Sequence, residues 1–271
     1  MRRSPFCGFH VFYEPRFVAK ESLCHKTKFT KHRVAHFNGD LLIHHFVVPL
    51  LRWRRLFYKS KFETRIHSNI THEGTNMKIY DISQEVLSST LFPGDPAPEG
   101  TRIMSMEDGD VCNLSTLFMC AHNGTHTDAP AHFFIDGKTI DEMPLDVFVG
   151  DCFVARHEGI VTARDADAIM QKAANAAARD RILIAGKATV SNEAAEVFAT
   201  HKIKLIGNES QTVGDENAPA RAHEILLGEG IALLEGLRLD GVEEGKYLLS
   251  SAPLNLAGFD GSPCRAILIK L

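Results

Sequence analysis

His122-Asn123-Gly124-Thr125-His126-Thr127-Asp128-Ala129-Pro130-Ala131-His132 puts three histidines and one aspartate within eleven residues. All four lie at even offsets from His122: 0, 4, 6 and 10. Alternate side chains of an extended chain share a face, so these four start on one side. His126 and Asp128 are then neighbours, roughly 7 Å apart. A straight strand would leave His122 and His132 roughly 33 Å apart, too far for one site. The chain has to bend to unite them. Gly124 permits unusual φ and Pro130 fixes a turn, so a folded-back strand end converges all four groups.

Imidazole and carboxylate without thiolate make a nitrogen/oxygen donor set, which suits Zn²⁺, Mn²⁺ or Fe²⁺. Three protein ligands (His122, His126 and Asp128) leave a position open for water, and a bound cation lowers that water's pKa towards neutral. Asp128 can bridge two ions, and His132 is the natural proton carrier. Any one of these histidines, taken alone, is as well explained as a loop or core residue. The joint spacing is what a ligand cluster needs. His157 and His201 have no ligand-like neighbour and read as ordinary. Cys120 reads as a buried free thiol, with a site-facing side chain as the alternative.

Working outward, Cys112–Cys120 is an apolar, strand-like run leading into the cluster. Lys78–Ile82, Cys152–Arg156, Arg181–Ala185, Lys204–Gly207, Ile231–Leu234, Tyr247–Ser250 and Ala266–Lys270 also read as strands. Phe92-Pro93-Gly94-Asp95-Pro96 reads as a turn-rich loop. Helices are expected at Asp165–Arg179, capped by Asp165 or Asp167, at Ser191–Thr200 and at Ala222–Leu227. Several strands have no helix between them. The pattern therefore predicts a mixed α/β (α+β) domain, not a regular doubly wound sheet.

Charge divides the 271 residues at Met77. Residues 1–76 hold 14 Lys/Arg against 5 Asp/Glu, while residues 77–271 hold 16 against 29. The first segment also carries the only tryptophan, Trp53, and 8 of the 14 histidines, with no sustained period. It reads as a basic arm for nucleic acid or an anionic membrane, as a targeting presequence, or as translated upstream DNA. The last is favoured. Glu73-Gly74 codons spell GARGGN, which can match a bacterial ribosome-binding site just ahead of the Met77 codon. The native start is thus expected at Met77, with 77–271 as the folded protein. The acidic balance of that part disfavours nucleic acid. No run of about 18 apolar residues is present to span a membrane. The six scattered cysteines lack a CxxC pair, which is the pattern of reduced thiols and a cytoplasmic protein.

His122-x-Gly-Thr-His126-x-Asp128-x-Pro-x-His132 resembles the signature of the cyclase-like metal-dependent hydrolases, of the bacterial kynurenine formamidase and isatin hydrolase type. The resemblance extends over 77–271, through Ile79-Tyr80-Asp81-Ile82-Ser83, the Phe92–Pro96 loop, Leu234-Glu235-Gly236-Leu237 and Gly261-Ser262-Pro263-Cys264-Arg265-Ala266. It implies a swivelling β/β/α-type fold with a mixed sheet or barrel-like core, and a homodimer or higher oligomer. It implies one or two Zn²⁺ or Mn²⁺ ions per subunit. His122, His126 and Asp128 would hold the first, and Asp128 with His223 and Glu235 the second. His132 would be the general acid/base. The implied reaction is hydrolysis of a small amide, with N-formylkynurenine, and so tryptophan catabolism, the leading candidate. A cyclic amide or lactone such as isatin, or metal binding without catalysis, are the alternatives. Phe92 stands where kynurenine formamidases commonly carry Trp, and either stacks on an aryl substrate or anchors its loop. Asn208–Val213 also departs from the formamidase pattern.

Overall fold

Arg181-Ile182-Leu183-Ile184-Ala185 is buried at every position, and its side chains alternate between two cores. Ile182 and Ile184 enter a core made with the helices, whereas Leu183 and Ala185 enter a second core on the opposite face. Cys152-Phe153-Val154-Ala155 divides in the same way. A strand covered on both faces reads as a continuous apolar run, and these segments do.

The computed structural model describes residues 68–72 and 75–271. The strands are β1 (Ser68–His72), β2 (Thr75–Asp81), β3 (Glu99–Met104), β4 (Leu114–Phe118), β5 (His126–Asp128), β6 (Val149–Arg156) and β7 (Gly159–Val161). They continue as β8 (Arg181–Ala185), β9 (Ala188–Val190), β10 (Leu205–Asn208), β11 (Ala232–Glu235), β12 (Gly245–Ser250), β13 (Gly261–Pro263) and β14 (Ile267–Lys270). Three helices intervene: α1 (Ala163–Asn175), α2 (Asn192–Thr200) and α3 (Ala220–Gly228).

Ten strands form one mixed sheet in the order β1-β2-β14-β12-β6-β8-β10-β11-β5-β13. Its centre, β6-β8-β10-β11, is parallel, and the strands to either side pair antiparallel. The connections between these parallel strands carry α1, α2 and α3, and all three helices pack into the same core. The opposite face is covered by Ile140, Met143, Val147, Phe148, Leu237 and Leu239. This is the expected mixed α/β architecture. The described ladder runs from one open edge to the other and does not close as a barrel.

Most segments expected from pattern are present within a residue or two. One cap differs. Thr162, not Asp165 or Asp167, caps α1, and Asp165 closes the reciprocal capping box from the third helical position. Aspartate at that position reaches back to the Thr162 N–H, an arrangement that a search for the first acidic residue overlooks. The run 112–120 does contain a strand, β4, but it pairs only with β3 in a ribbon off the main sheet. Most of the expected basic leader lies outside the described residues. Its last part includes β1, which pairs antiparallel with β2.

Candidate metal centre

Three-residue β5 lies between β11 and β13, with His126 opposite Glu235 and Asp128 opposite Leu233. Leu233 belongs to the helix-side core, so residues in step with it point towards the helices. Strand register alone thus gathers His126, Asp128 and Glu235 on one face. Helix α3 crosses that face and supplies His223. His122 comes from the turn before β5, where Gly124 takes φ +69°. His132 ends a 3-10 turn, Pro130–His132, with proline at its start. The bend is therefore made at the two residues whose backbone chemistry allowed it. The even spacing operates as strand geometry only from His126 to Asp128.

The distances are short. His122 Nδ1 is 2.8 Å from Asp128 Oδ1, and His126 Nε2 is 3.4 Å from the same oxygen. His126 Nε2 lies 3.5 Å from Glu235 Oε2. His223 Nε2 lies 3.3 Å from Glu235 Oε1 and 3.7 Å from Asp128 Oδ2. Asp128, His126, Glu235 and His223 are all buried. Two carboxylates at such depth are costly unless positive charge accompanies them.

The outer nitrogens decide which inner ones are free. His126 Nδ1 donates to the Gly124 carbonyl at 3.1 Å, and His223 Nδ1 donates to the Pro219 carbonyl at 2.9 Å. Each ring then turns an Nε2 lone pair towards carboxylate oxygens. Lone pair facing lone pair is repulsive unless a proton or a cation lies between. In the metal-free chain protons fill that role. Burial opposes charge on His122, yet Asp128 and Asp260 outweigh it and raise its pKa to about 10. Burial likewise opposes charge on His223, but Glu235 and Asp128 raise it to about 9. His126 is also raised, by Glu235 and Asp128 against its burial. Asp128 is held well below the ordinary carboxylate range. Burial works against this, but the His122 hydrogen bond and the surrounding imidazoles prevail.

These donors fit a divalent ion. Two groups have ligand atoms within 4.8 Å of one another, His122–Asp128–His132 and His126–Asp128–Glu235. Asp128 belongs to both, as a carboxylate bridging two ions would, but neither group is a set expected from sequence: the first has His132 in place of His126, and the second has His126 in place of His223. The fixed His126 and His223 tautomers are the usual preparation of a metal-binding imidazole. His132 differs in exposure: its side chain is 31% accessible, against 2% for His126 and 5% for His223.

The centre lines a cavity of about 240 Å³ with Phe92, Asp95, Phe133, Gln211 and Thr212. A larger cavity of about 590 Å³ adjoins it, and Phe92, Gln211 and Thr212 line both. All seven residues expected at the site from sequence line the smaller cavity. His157 and His201 do not, as expected. The four cysteines among the described residues are unpaired, and burial pushes the Cys152 thiol up to about 12. Cys120 is half-buried, with its N–H bonded to Asn123.

Two features escaped the sequence reading. One is a brace: Gln84 bonds Gln211 and the Gly236 carbonyl, and the Gln84 N–H and Gly236 carbonyl both bond the Thr125 hydroxyl. It ties the turn carrying His122 to the loop after Glu235. The other is Asp260, whose Oδ2 lies 2.9 Å from His122 Nε2 and 3.1 Å from His132 Nδ1. The only signal in the sequence was an acid standing just before Gly261-Ser262-Pro263.

Known proteins bear directly on this arrangement. Residues 69–214 match the family model described as putative cyclase. The kynurenine formamidase of Erythrobacter litoralis (strain HTCC2594) is 32% identical over 208 residues, spanning 72% of this chain and 94% of that protein. A solved structure described as a potential metal-dependent hydrolase with cyclase activity is 28% identical, with a TM-score of 0.61 over 72% of this chain and 98% of that one. Isatin hydrolase A from Labrenzia aggregata shares the fold at a TM-score of 0.61 and 20% identity, over 71% of this chain and 93% of its own. The sheet, the clustered imidazoles and carboxylates, and a family match over more than half the chain agree: this protein belongs to the putative cyclase family of metal-dependent hydrolases.

Proposed function

We propose that the protein hydrolyses a small aryl formamide of the N-formylkynurenine type, giving the free arylamine and formate. The observation that carries this reading is buried Asp128 serving both donor groups, in the wall of a cavity sized for a small molecule. The likeness to a kynurenine formamidase, over 94% of that protein's length, supports the substrate class. Asp128, His122, His126, His223 and Glu235 hold one or two Zn²⁺ or Mn²⁺ ions. Such a cation, when bound, polarises the carbonyl and acidifies water.

The chain's own groups do the rest. His132 is the most accessible imidazole of the cluster and delivers a proton to the leaving nitrogen. A pure binding site has no need of that group, which argues against a non-catalytic role. Phe92 packs against the aryl ring from the shared wall of the two cavities. The 208–213 stretch, which supplies Gln211 and Thr212 to both cavities, selects the substrate.

A second reading keeps the chemistry and substitutes a cyclic amide such as isatin, favoured by the 208–213 departure and by the fold shared with isatin hydrolases. Side-by-side hydrolysis of N-formylkynurenine and isatin by the purified protein separates them. A kcat/KM at least about tenfold higher on the formamide supports the first reading, and the reverse order overturns it.

The reading includes a cytoplasmic homodimer whose native start is Met77. Among the described residues, Ile103, Leu117 and Phe118 of the β3–β4 ribbon are each more than half exposed. A two-stranded ribbon with both faces in water is marginal by itself, so the ribbon is assigned to contact with a second copy. A start at Met77 would remove β1, an edge strand, and leave β2 paired with β14. The intact mass of protein from its native host tests that start.

A further inference from the structure

We propose that Asp260 is a positioning residue that couples the metal centre to the proton carrier, one carboxylate oxygen holding the rings of His122 and His132 together. This rests on the hydrolase reading above. Oδ2 of Asp260 is within hydrogen-bond distance of His122 Nε2 at 2.9 Å and of His132 Nδ1 at 3.1 Å. Both ring N–H groups therefore donate to a single oxygen. The consequence for each ring is definite. His122 is left with Nδ1 for the Asp128 side, where it already lies 2.8 Å from Oδ1. His132 is left with Nε2 as its free nitrogen, the one able to exchange a proton with a substrate. The rings lie face over face, with centroids 4.2 Å apart and tilted by 31°. Turning either ring over would break its contact with Asp260.

The backbone keeps Asp260 in place. Its carbonyl accepts the Ala129 N–H at 2.9 Å, and the next three residues form β13 against β5. The strand that carries Asp128 thus also sets Asp260. Close approach needs a residue without a side chain immediately afterwards. A Cβ on Gly261 would lie 2.7 Å from His122 Cε1. A carboxylate behind a metal-binding imidazole fixes its tautomer and raises its basicity, and loss of such a partner typically costs about 10–100-fold in affinity or activity. Here the same oxygen serves the proton carrier as well. Positioning of the two groups is therefore linked.

The test uses Asp260→Ala and Asp260→Asn in the full-length protein. Zn²⁺ and Mn²⁺ affinities are read by competition with a chromogenic chelator, with no substrate present. The proposal expects metal binding about tenfold weaker in D260A and partly restored in D260N, whose amide oxygen still accepts a ring N–H. It also expects kcat on N-formylkynurenine to fall about 10–100-fold with KM within about twofold. Added to His132→Ala at saturating metal, D260A should lower kcat by no more than about twofold further, because with the metal site filled its effect on turnover passes through that ring. Wild-type metal affinity in D260A overturns the His122 half of the coupling, and multiplicative kcat losses in the double variant overturn the His132 half. If the wild type hydrolyses no amide, the functional reading fails, while the chelator competition still decides Asp260.

Discussion

At the residue scale, exposure separates two kinds of histidine. His126 and His223 are buried with fixed tautomers, whereas His132 meets solvent and Asp260. His132→Ala is therefore expected to lower kcat by about 10²–10⁴-fold, the usual contribution of a positioned acid/base, while metal content stays at the wild-type level. Asp128→Ala should lose metal and activity together. Kinetics paired with metal analysis of both variants checks this, and metal loss in H132A would make His132 a ligand instead. The raised imidazoles make a second prediction, for protein stripped of metal. His122 titrates near 10 when folded against an ordinary 6.5, so its ion pairs stabilise the fold fully below pH 6.5. Between 6.5 and about 10 the unfolded chain releases that proton and the folded chain keeps it, so stability falls as pH rises. His223, raised to about 9, acts in the same direction. The Tm of chelator-treated protein is expected to decline from pH 7 to 10. The decline should shrink once metal replaces those protons.

At the element scale, α1 depends on its reciprocal cap. Thr162→Ala is expected to cost about 1 kcal/mol in urea unfolding, because it removes the acceptor for Asp165 N–H at an exposed helix start. The β3–β4 ribbon makes a different prediction. Phe118→Lys places a charge at the most exposed apolar residue of its strands, and under the proposed dimer light scattering should show the variant as a monomer without loss of secondary structure. The same contrast explains what was legible beforehand. β6, β8 and β10 are buried on both faces and show as apolar runs, and α2 shows through Ser191 and its helix formers. β5, β7, β9 and β13 have three residues each, too few to establish a period. Yet β5 is the strand on which the site is built.

At the scale of the whole molecule, the centre is assembled from three distant stretches of chain, and legibility follows that division. Residues 122–132 announced themselves because their ligands are contiguous. His223 and Glu235 came only through resemblance, since a lone histidine on a helix or a lone glutamate ending a strand carries no pattern. Sheet order explains their roles afterwards: β11 lies beside β5, and α3 packs on β11 with His223 3.7 Å from Asp128 of β5. Asp260 is brought in by pairing of β13 with β5, a contact between residues more than a hundred positions apart, which no local reading exposes. The parallel strands and their helices thus form a frame that itself supplies Glu235 and His223, and the antiparallel β5 and β13 at one edge bring in the rest of the centre. The most direct measurement is hydrolysis of N-formylkynurenine by metal-stripped protein, before and after stoichiometric Zn²⁺ or Mn²⁺ is returned. Restored turnover from a silent stripped enzyme is the expected result, and equal activity in the stripped and reloaded protein would contradict a metal-dependent hydrolase centred on Asp128.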